Sequence, residues 1–168
     1  WFQARPHAAL GSGQPSGHAL LGQRLRHAGA AQLHEALVGA DRPAFVRQHR
    51  VQGQVVLPAT AYLDTLLAAG RAAWRGEAVA VKDVVIREAM LLPDDGAERC
   101  VQTLCEPSED GARKVSIASQ PQGADADAGW VTHVSATLRP AAAVSNDIVD
   151  LDALRRRCAE AIAPQDFY

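Results

Sequence analysis

No two of the three cysteines stand in a CxxC pair, and Cys100, Cys105 and Cys158 leave an odd one over. A disulfide framework or zinc knuckle has little support on that count, and reduced, mostly buried thiols are expected. Long hydrophobic runs are missing as well. The strongly apolar stretches Val55–Leu57 and Val84–Ile86 fall far short of the ~20 residues that cross a bilayer as a helix. No signal peptide is recognisable, so a soluble, cytoplasmic protein is expected. Nor is there an excess of charge of one sign: a formal net charge of -2 gives no electrostatic reason to expect nucleic acid as a partner. No internal repeat is found. What is present is a globular composition, 48% hydrophobic and 21% charged, over 168 residues, enough for one domain with linker pieces around one core.

Residues 1–17 carry Pro6, Gly11, Gly13, Pro15 and Gly17 without a sustained apolar period and read as a linker, with Trp1 as a cut end. Leu33–Val38 is a short extended stretch ending at Gly39. Asp41-Arg42-Pro43 then reads as a turn in which Asp41 caps a short helical turn over Pro43–Gln48. Ala59–Trp74 is the one long apolar helix, with Ala61, Leu63, Leu66, Leu67, Ala69 and Ala73 on its buried face and Pro58 near its first turn. Strands are expected over Val79–Leu92, broken by a bulge or bend near Asp83, and over Arg99–Glu106, Lys114–Gln120 and Trp130–Leu138. Their short polar links, Pro107–Gly111 and Pro121–Gly129, favour antiparallel pairing. A last helix is expected over Ile148–Ile162, capped by Asp147 and stopped by Pro164. The fold class is α+β, one apolar helix against an antiparallel sheet.

The chemistry is concentrated in His49-Arg50-Val51-Gln52-Gly53-Gln54-Val55-Val56-Leu57-Pro58. A histidine titrating near ~6.5 accepts a proton at cytoplasmic pH without a metal. Gly53 permits positive φ and close approach of a ligand, and its backbone N–H is a candidate donor to a carbonyl oxygen. Pro58 fixes entry to a helix whose N-terminal dipole favours negative charge on that oxygen. Removing a proton next to a carbonyl needs a base and such donors together. The competing reading is a histidine packed at a turn, with Gly53 and Pro58 as ordinary punctuation.

The segment His49 to Pro58 resembles the HxxxGxxxxP motif of the dehydratase domains of modular polyketide synthases and, more distantly, of animal fatty acid synthase. His18-Ala19-Leu20-Leu21-Gly22 resembles the HPLLG segment that opens those domains. Asp41-Arg42-Pro43-Ala44-Phe45 resembles the approach to the family's histidine, and Ala59-Thr60-Ala61-Tyr62-Leu63 the start of its central helix. Trp130-Val131-Thr132-His133 resembles its late strand, although Ala136 stands where glycine is more usual. The resemblance implies a hot-dog fold, an antiparallel sheet wrapped around a long helix, as the first half of a double hot dog. It divides the chain into a linker (1–17), an N-terminal hot dog (18–140) and a linker with helix (141–168) leading to a second hot dog that this sequence does not contain.

By that resemblance His49 is the general base that takes the α proton of a 3-hydroxyacyl thioester. An aspartic acid from the second half protonates the departing hydroxyl. The implied substrate contacts are Gly53, through its N–H to the thioester carbonyl, Pro58 and Tyr62, the last read as either tunnel lining or core. The substrate rides on the phosphopantetheine arm of an acyl carrier protein, and no other cofactor and no metal is expected. The implied partners are the carrier protein, neighbouring synthase domains and the second half, with homodimerisation left open. His18 and His133 fall at structural positions of the family. His7, His27 and His34 are expected in linker or half-exposed surroundings, Asp64 as a solvated or capping carboxylate, and Arg155-Arg156-Arg157 as a solvated helix face or a patch for an acidic carrier. Two alternatives stand beside dehydration: a double-bond isomerase or a dehydrating pyran- or furan-forming cyclase on the same fold, and an inactive or truncated hot dog kept for structure or carrier docking.

Overall fold

The computed structural model describes residues 13–125, 127–142, 149–158 and 160–167. Along the chain run β1 (Gln14–Pro15), β2 (Gln23–Leu25), β3 (Gln32–Val38), a 3-10 turn (Ala44–Gln48), β4 (Arg50–Val51) and β5 (Gln54–Val56). They are followed by α1 (Ala59–Ala73), β6 (Val79–Ile86), β7 (Leu91–Leu92), β8 (Arg99–Pro107), β9 (Arg113–Pro121), β10 (Val131–Pro140), α2 (Leu151–Arg157) and α3 (Pro164–Phe167). Seven strands form one sheet in the order β1-β2-β3-β8-β9-β10-β6, and β4-β5-β7 form a second, small one. Every pairing is antiparallel. The α+β reading and the hot-dog arrangement therefore hold.

Period-two alternation builds the concave face of the large sheet. Val101, Thr103 and Cys105 on β8, Val115, Ile117 and Ser119 on β9, and Val134, Ala136 and Leu138 on β10 are buried, with polar or half-exposed residues between most of them. Against this face lies α1, packed on β6 and β10. It buries Ala61, Tyr62, Thr65, Leu66, Ala69 and Gly70, and burying Leu66 alone contributes about 2 kcal/mol. Gly70 is where helix and sheet meet most closely, since a Cβ there would lie 2.5 Å from Val79 Cγ1. The helix ends in a left-handed turn: Arg75 has φ 52, Gly76 has φ 91, and Gly76 N–H reaches back to the Arg71 carbonyl at 2.8 Å.

Several expectations are corrected. Leu63 points outward at 40% exposure, and Tyr62 takes the inward position because the buried stripe runs through residues 62, 66 and 69. Val79–Leu92 is two strands: β6 ends at Ile86 in the large sheet and β7 belongs to the small one. The bulge expected near Asp83 is present, with φ 52 at Asp83 and a register shift opposite Ser135–Thr137. Pairing begins before residue 18, since Gln14 and Pro15 join the sheet through Arg24 and Gln23. β2 carries too few residues to show a period. Asp41 caps nothing: the 3-10 turn is preceded by Pro43, and the Asp41 carboxylate pairs with the Arg47 guanidinium. The last long helix is shorter, Leu151–Arg157, and is capped by Asp150, whose carboxylate accepts from Asp152 and Ala153 N–H at 3.0 Å. Pro164 opens α3 instead of stopping a helix. His7 and Asp147 lie outside the described residues. Of the thiols, Cys105 is buried, Cys100 half-buried and Cys158 exposed. No helix among the described residues is long and apolar enough to cross a membrane.

Candidate active site

His49 sits where the 3-10 turn gives way to a two-residue hairpin. β4 and β5 pair as Arg50 with Val55 and Val51 with Gln54, leaving Gln52 and Gly53 as the loop. Both have positive φ, 51 and 82, the signature of a turn whose twist matches its strands. That is the conformational reason for glycine at position 53, and open space surrounds its missing Cβ. One step beyond the hairpin pairs, His49 and Val56 face each other and are clasped twice. Val56 N–H donates to the His49 carbonyl at 3.1 Å, and His49 Nδ1 lies 2.8 Å from the Val56 carbonyl. A carbonyl only accepts, so Nδ1 carries a proton, and in the neutral ring Nε2 keeps its lone pair. The side chain is exposed. His49 is thus an oriented base with a free nitrogen.

Free donors flank this base. Gly53 N–H finds no acceptor among the described residues, nor do Ala59 and Thr60 N–H at the open first turn of α1, where Pro58 occupies the cap position without a side-chain bond. Arg50 grips the turn from outside, bonding the Gly53 carbonyl at 2.7 Å and both oxygens of Asp94 at 2.9 and 2.7 Å. The Arg50 guanidinium in turn holds the Asp94 carboxyl below its ordinary range. The motif residues are therefore assembled along one hairpin and the helix it feeds.

Tyr62 is not among them. It is 2% exposed, and its hydroxyl accepts from Met90 N–H at 3.2 Å, so of the two readings of Tyr62 the core position holds and the substrate contact does not. Burial pushes its phenol up to about 12. His133, 2% exposed, bonds Ser119 Oγ at 2.8 Å and the Glu88 carbonyl at 3.0 Å, and burial lowers its pKa. His34 is buried, against expectation, because it shares the inward parity of Ala36 and Val38 on β3. His27 is exposed. His18 Nδ1 accepts from Leu21 N–H and its Nε2 meets Asp64 Oδ2 at 2.9 Å, which gives Asp64 a partner that its sequence position did not suggest. The Arg155 and Arg156 side chains pair locally with Asp152 and Asp150 on a helix that buries none of its residues. Among the described residues no three His, Cys, Asp or Glu side chains gather as metal ligands. The Ser119, Tyr62 and Glu88 partners of this interior were missed in the sequence, where nothing but three-dimensional contact joins them.

Comparison with known proteins bears on the same residues. A family model described as polyketide synthase dehydratase domain matches residues 18–120. The spectinabilin polyketide synthase system protein NorA of Streptomyces orinoci is 30% identical over 125 residues, covering 73% of this chain and 6% of that protein. Among solved structures, the dehydratase domain from the CurF module of curacin polyketide synthase is 27% identical with a TM-score of 0.76, covering 90% of this chain and 54% of that one. The CurK dehydratase domain is 30% identical with a TM-score of 0.75, covering 90% and 52%. Two further CurK structures, one with a histidine replaced by phenylalanine and one with an aspartate replaced by asparagine, are described as inactive mutants. The chain spans about half the length of these solved domains and a small part of the synthase.

Proposed function

The chain belongs to the polyketide synthase dehydratase family and forms the N-terminal hot dog of that domain; from that premise we propose that His49 is the general base in eliminating water from a 3-hydroxyacyl thioester. The observation that carries this reading is the Nδ1–H···O=C bond to Val56, which makes Nε2 the unprotonated nitrogen of the neutral ring on an exposed residue. Nε2 takes the proton from the α carbon, and the electron pair of that C–H bond moves toward the thioester carbonyl. Free backbone N–H groups of Gly53 and of the first turn of α1 are the donors available to the oxygen that gains charge, the helix dipole adding to the second set. The α,β double bond forms as the β carbon–oxygen bond breaks, and the hydroxyl leaves as water with a proton from an acid. In this reading the acid is an aspartic acid on a second hot-dog half, in line with the inactive aspartate variant of the CurK dehydratase. The substrate arrives on the phosphopantetheine arm of an acyl carrier protein, among neighbouring synthase domains, and the reaction needs no further cofactor.

The test uses the protein in which this chain is joined to a second half, supplied with a simplified 3-hydroxyacyl thioester. His49→Ala should slow formation of the unsaturated thioester by about 100- to 10,000-fold, the range for loss of a positioned base. Dehydration undiminished in a folded variant would overturn the assignment.

A further inference from the structure

The segment between β6 and β7 leaves one sheet and enters the other, so its backbone groups have no ladder to join. Side chains and one neighbouring amide take them up. His133 Nδ1 stands 3.0 Å from the Glu88 carbonyl, Tyr62 Oη accepts from Met90 N–H at 3.2 Å, and the Met90 carbonyl accepts from Leu57 N–H at 3.0 Å. A fourth tie, Arg87 N–H to the His133 carbonyl at 2.7 Å, fixes where the segment departs from the large sheet. Leu57 follows Val56, the residue whose carbonyl orients His49, and Val56 itself pairs with Leu91.

The polarity of these bonds is determined throughout. The Glu88 carbonyl accepts only, so His133 carries its proton on Nδ1 and presents a lone pair at Nε2. Ser119 must then donate its hydroxyl to Nε2 at 2.8 Å, and Arg99 Nε–H donates to Ser119 Oγ at 2.7 Å. The Tyr62 and His133 rings lie nearly parallel, 17° apart with centroids at 6.5 Å. Ser119, His133 and Tyr62 are all at most 2% exposed.

We propose that His133 and Tyr62 are positioning residues for His49: through Glu88 and Met90 they fix the crossover segment, which fixes Leu57 and Val56, and the Val56 carbonyl then selects the Nδ1–H form of His49. The catalytic half of this inference rests on His49 being the base. The structural half does not. Without the two braces the small sheet keeps its hairpin but is held by fewer ties, the Val56 carbonyl shifts relative to the imidazole, and the proton redistributes toward Nε2, the nitrogen that must be free.

The test reads the tautomer directly from the imidazole 15N and 13C shifts of His49 in the protein with both halves, at a pH where the ring is neutral. Wild type should show the Nδ1–H form. Tyr62→Phe, which deletes one oxygen, and His133→Leu should shift the ratio toward Nε2–H by about 5-fold, the equilibrium effect of losing a typical hydrogen bond. His133→Asn, whose amide can still donate to the Glu88 carbonyl, should restore most of the wild-type ratio. In the protein with both halves, Tyr62→Phe should lower kcat by a similar factor and leave KM within about 2-fold. An unchanged His49 tautomer in folded Tyr62→Phe, with kcat also unchanged, overturns the proposal, and this mild variant decides it even where His133→Leu fails to fold. If instead the tautomer shifts while His49→Ala dehydrates normally, the positioning stands and the assignment of the base fails.

Discussion

Acid should weaken this fold through His34. Burial, reinforced by the neighbouring Arg24 charge, lowers its pKa from 6.5 to about 4, and the residue is 1% exposed with Nδ1 lacking a partner. The folded value lies below the unfolded one. As pH falls below about 6.5 the unfolded chain therefore takes up a proton that the folded chain refuses. Stability from this source is complete above that pH, is lost progressively down to about 4, and falls no further below it. The whole difference of about 2.5 units corresponds to about 3 kcal/mol, of which about 2 kcal/mol is lost between pH 7 and pH 5. Urea unfolding followed by circular dichroism at those two pH values measures it. His34→Gln removes the titration while keeping a polar side chain, and His133, whose pKa burial also lowers, remains in both proteins and cancels in the comparison. Wild type should therefore lose about 2 kcal/mol more than His34→Gln on going from pH 7 to pH 5. Equal losses in the two proteins would refute the reasoning.

Two close approaches give further expectations. Gly22 has φ +69, and a Cβ there would lie 2.1 Å from the Glu35 carbonyl oxygen, so Gly22→Ala should cost about 3 kcal/mol or more in the same unfolding assay; a loss under about 1 kcal/mol would contradict the geometry. Gly70→Ala meets Val79 Cγ1 at 2.5 Å and should cost about 1–3 kcal/mol. Because the obstacle is one side chain, Val79→Ala should recover part of that cost, and a double-mutant cycle with no coupling would show that the helix moves instead.

The parts of the fold that were legible from sequence are those with a long unbroken period. α1 and the strands β8, β9 and β10 fall within a residue or two of their expected limits because alternation or helical spacing runs through nearly the whole element. β1 and β2 have two and three residues and no period to detect. The site was legible in a different way. The spacing of His49, Gly53 and Pro58 marked the right segment, yet nothing in it announced a hairpin, because Gln52 is an unusual residue for φ 51 and the customary Asn-Gly or Asp-Gly is absent. The partners of Tyr62 and His133 were not legible, for a common reason. Tyr62 finds its partner 28 residues away at Met90, and His133 finds its partners 14 and 45 residues away. Local pattern carries no information about such contacts.

The kink at Asp83 has a consequence for how these molecules meet one another. Among the described strands β6 is the last in the large sheet, and Val85 and Ile86 on it are 47% and 49% exposed. A straight apolar border of this kind would invite a like strand from another molecule and begin a growing stack. The left-handed residue turns the strand partway along, and Lys82 and Asp83 set opposite charges beside the turn, both of which disfavour a copy of β6 lying flush along its whole length. The same irregularity that shifts the register with β10 thus works against edge-to-edge pairing of two molecules.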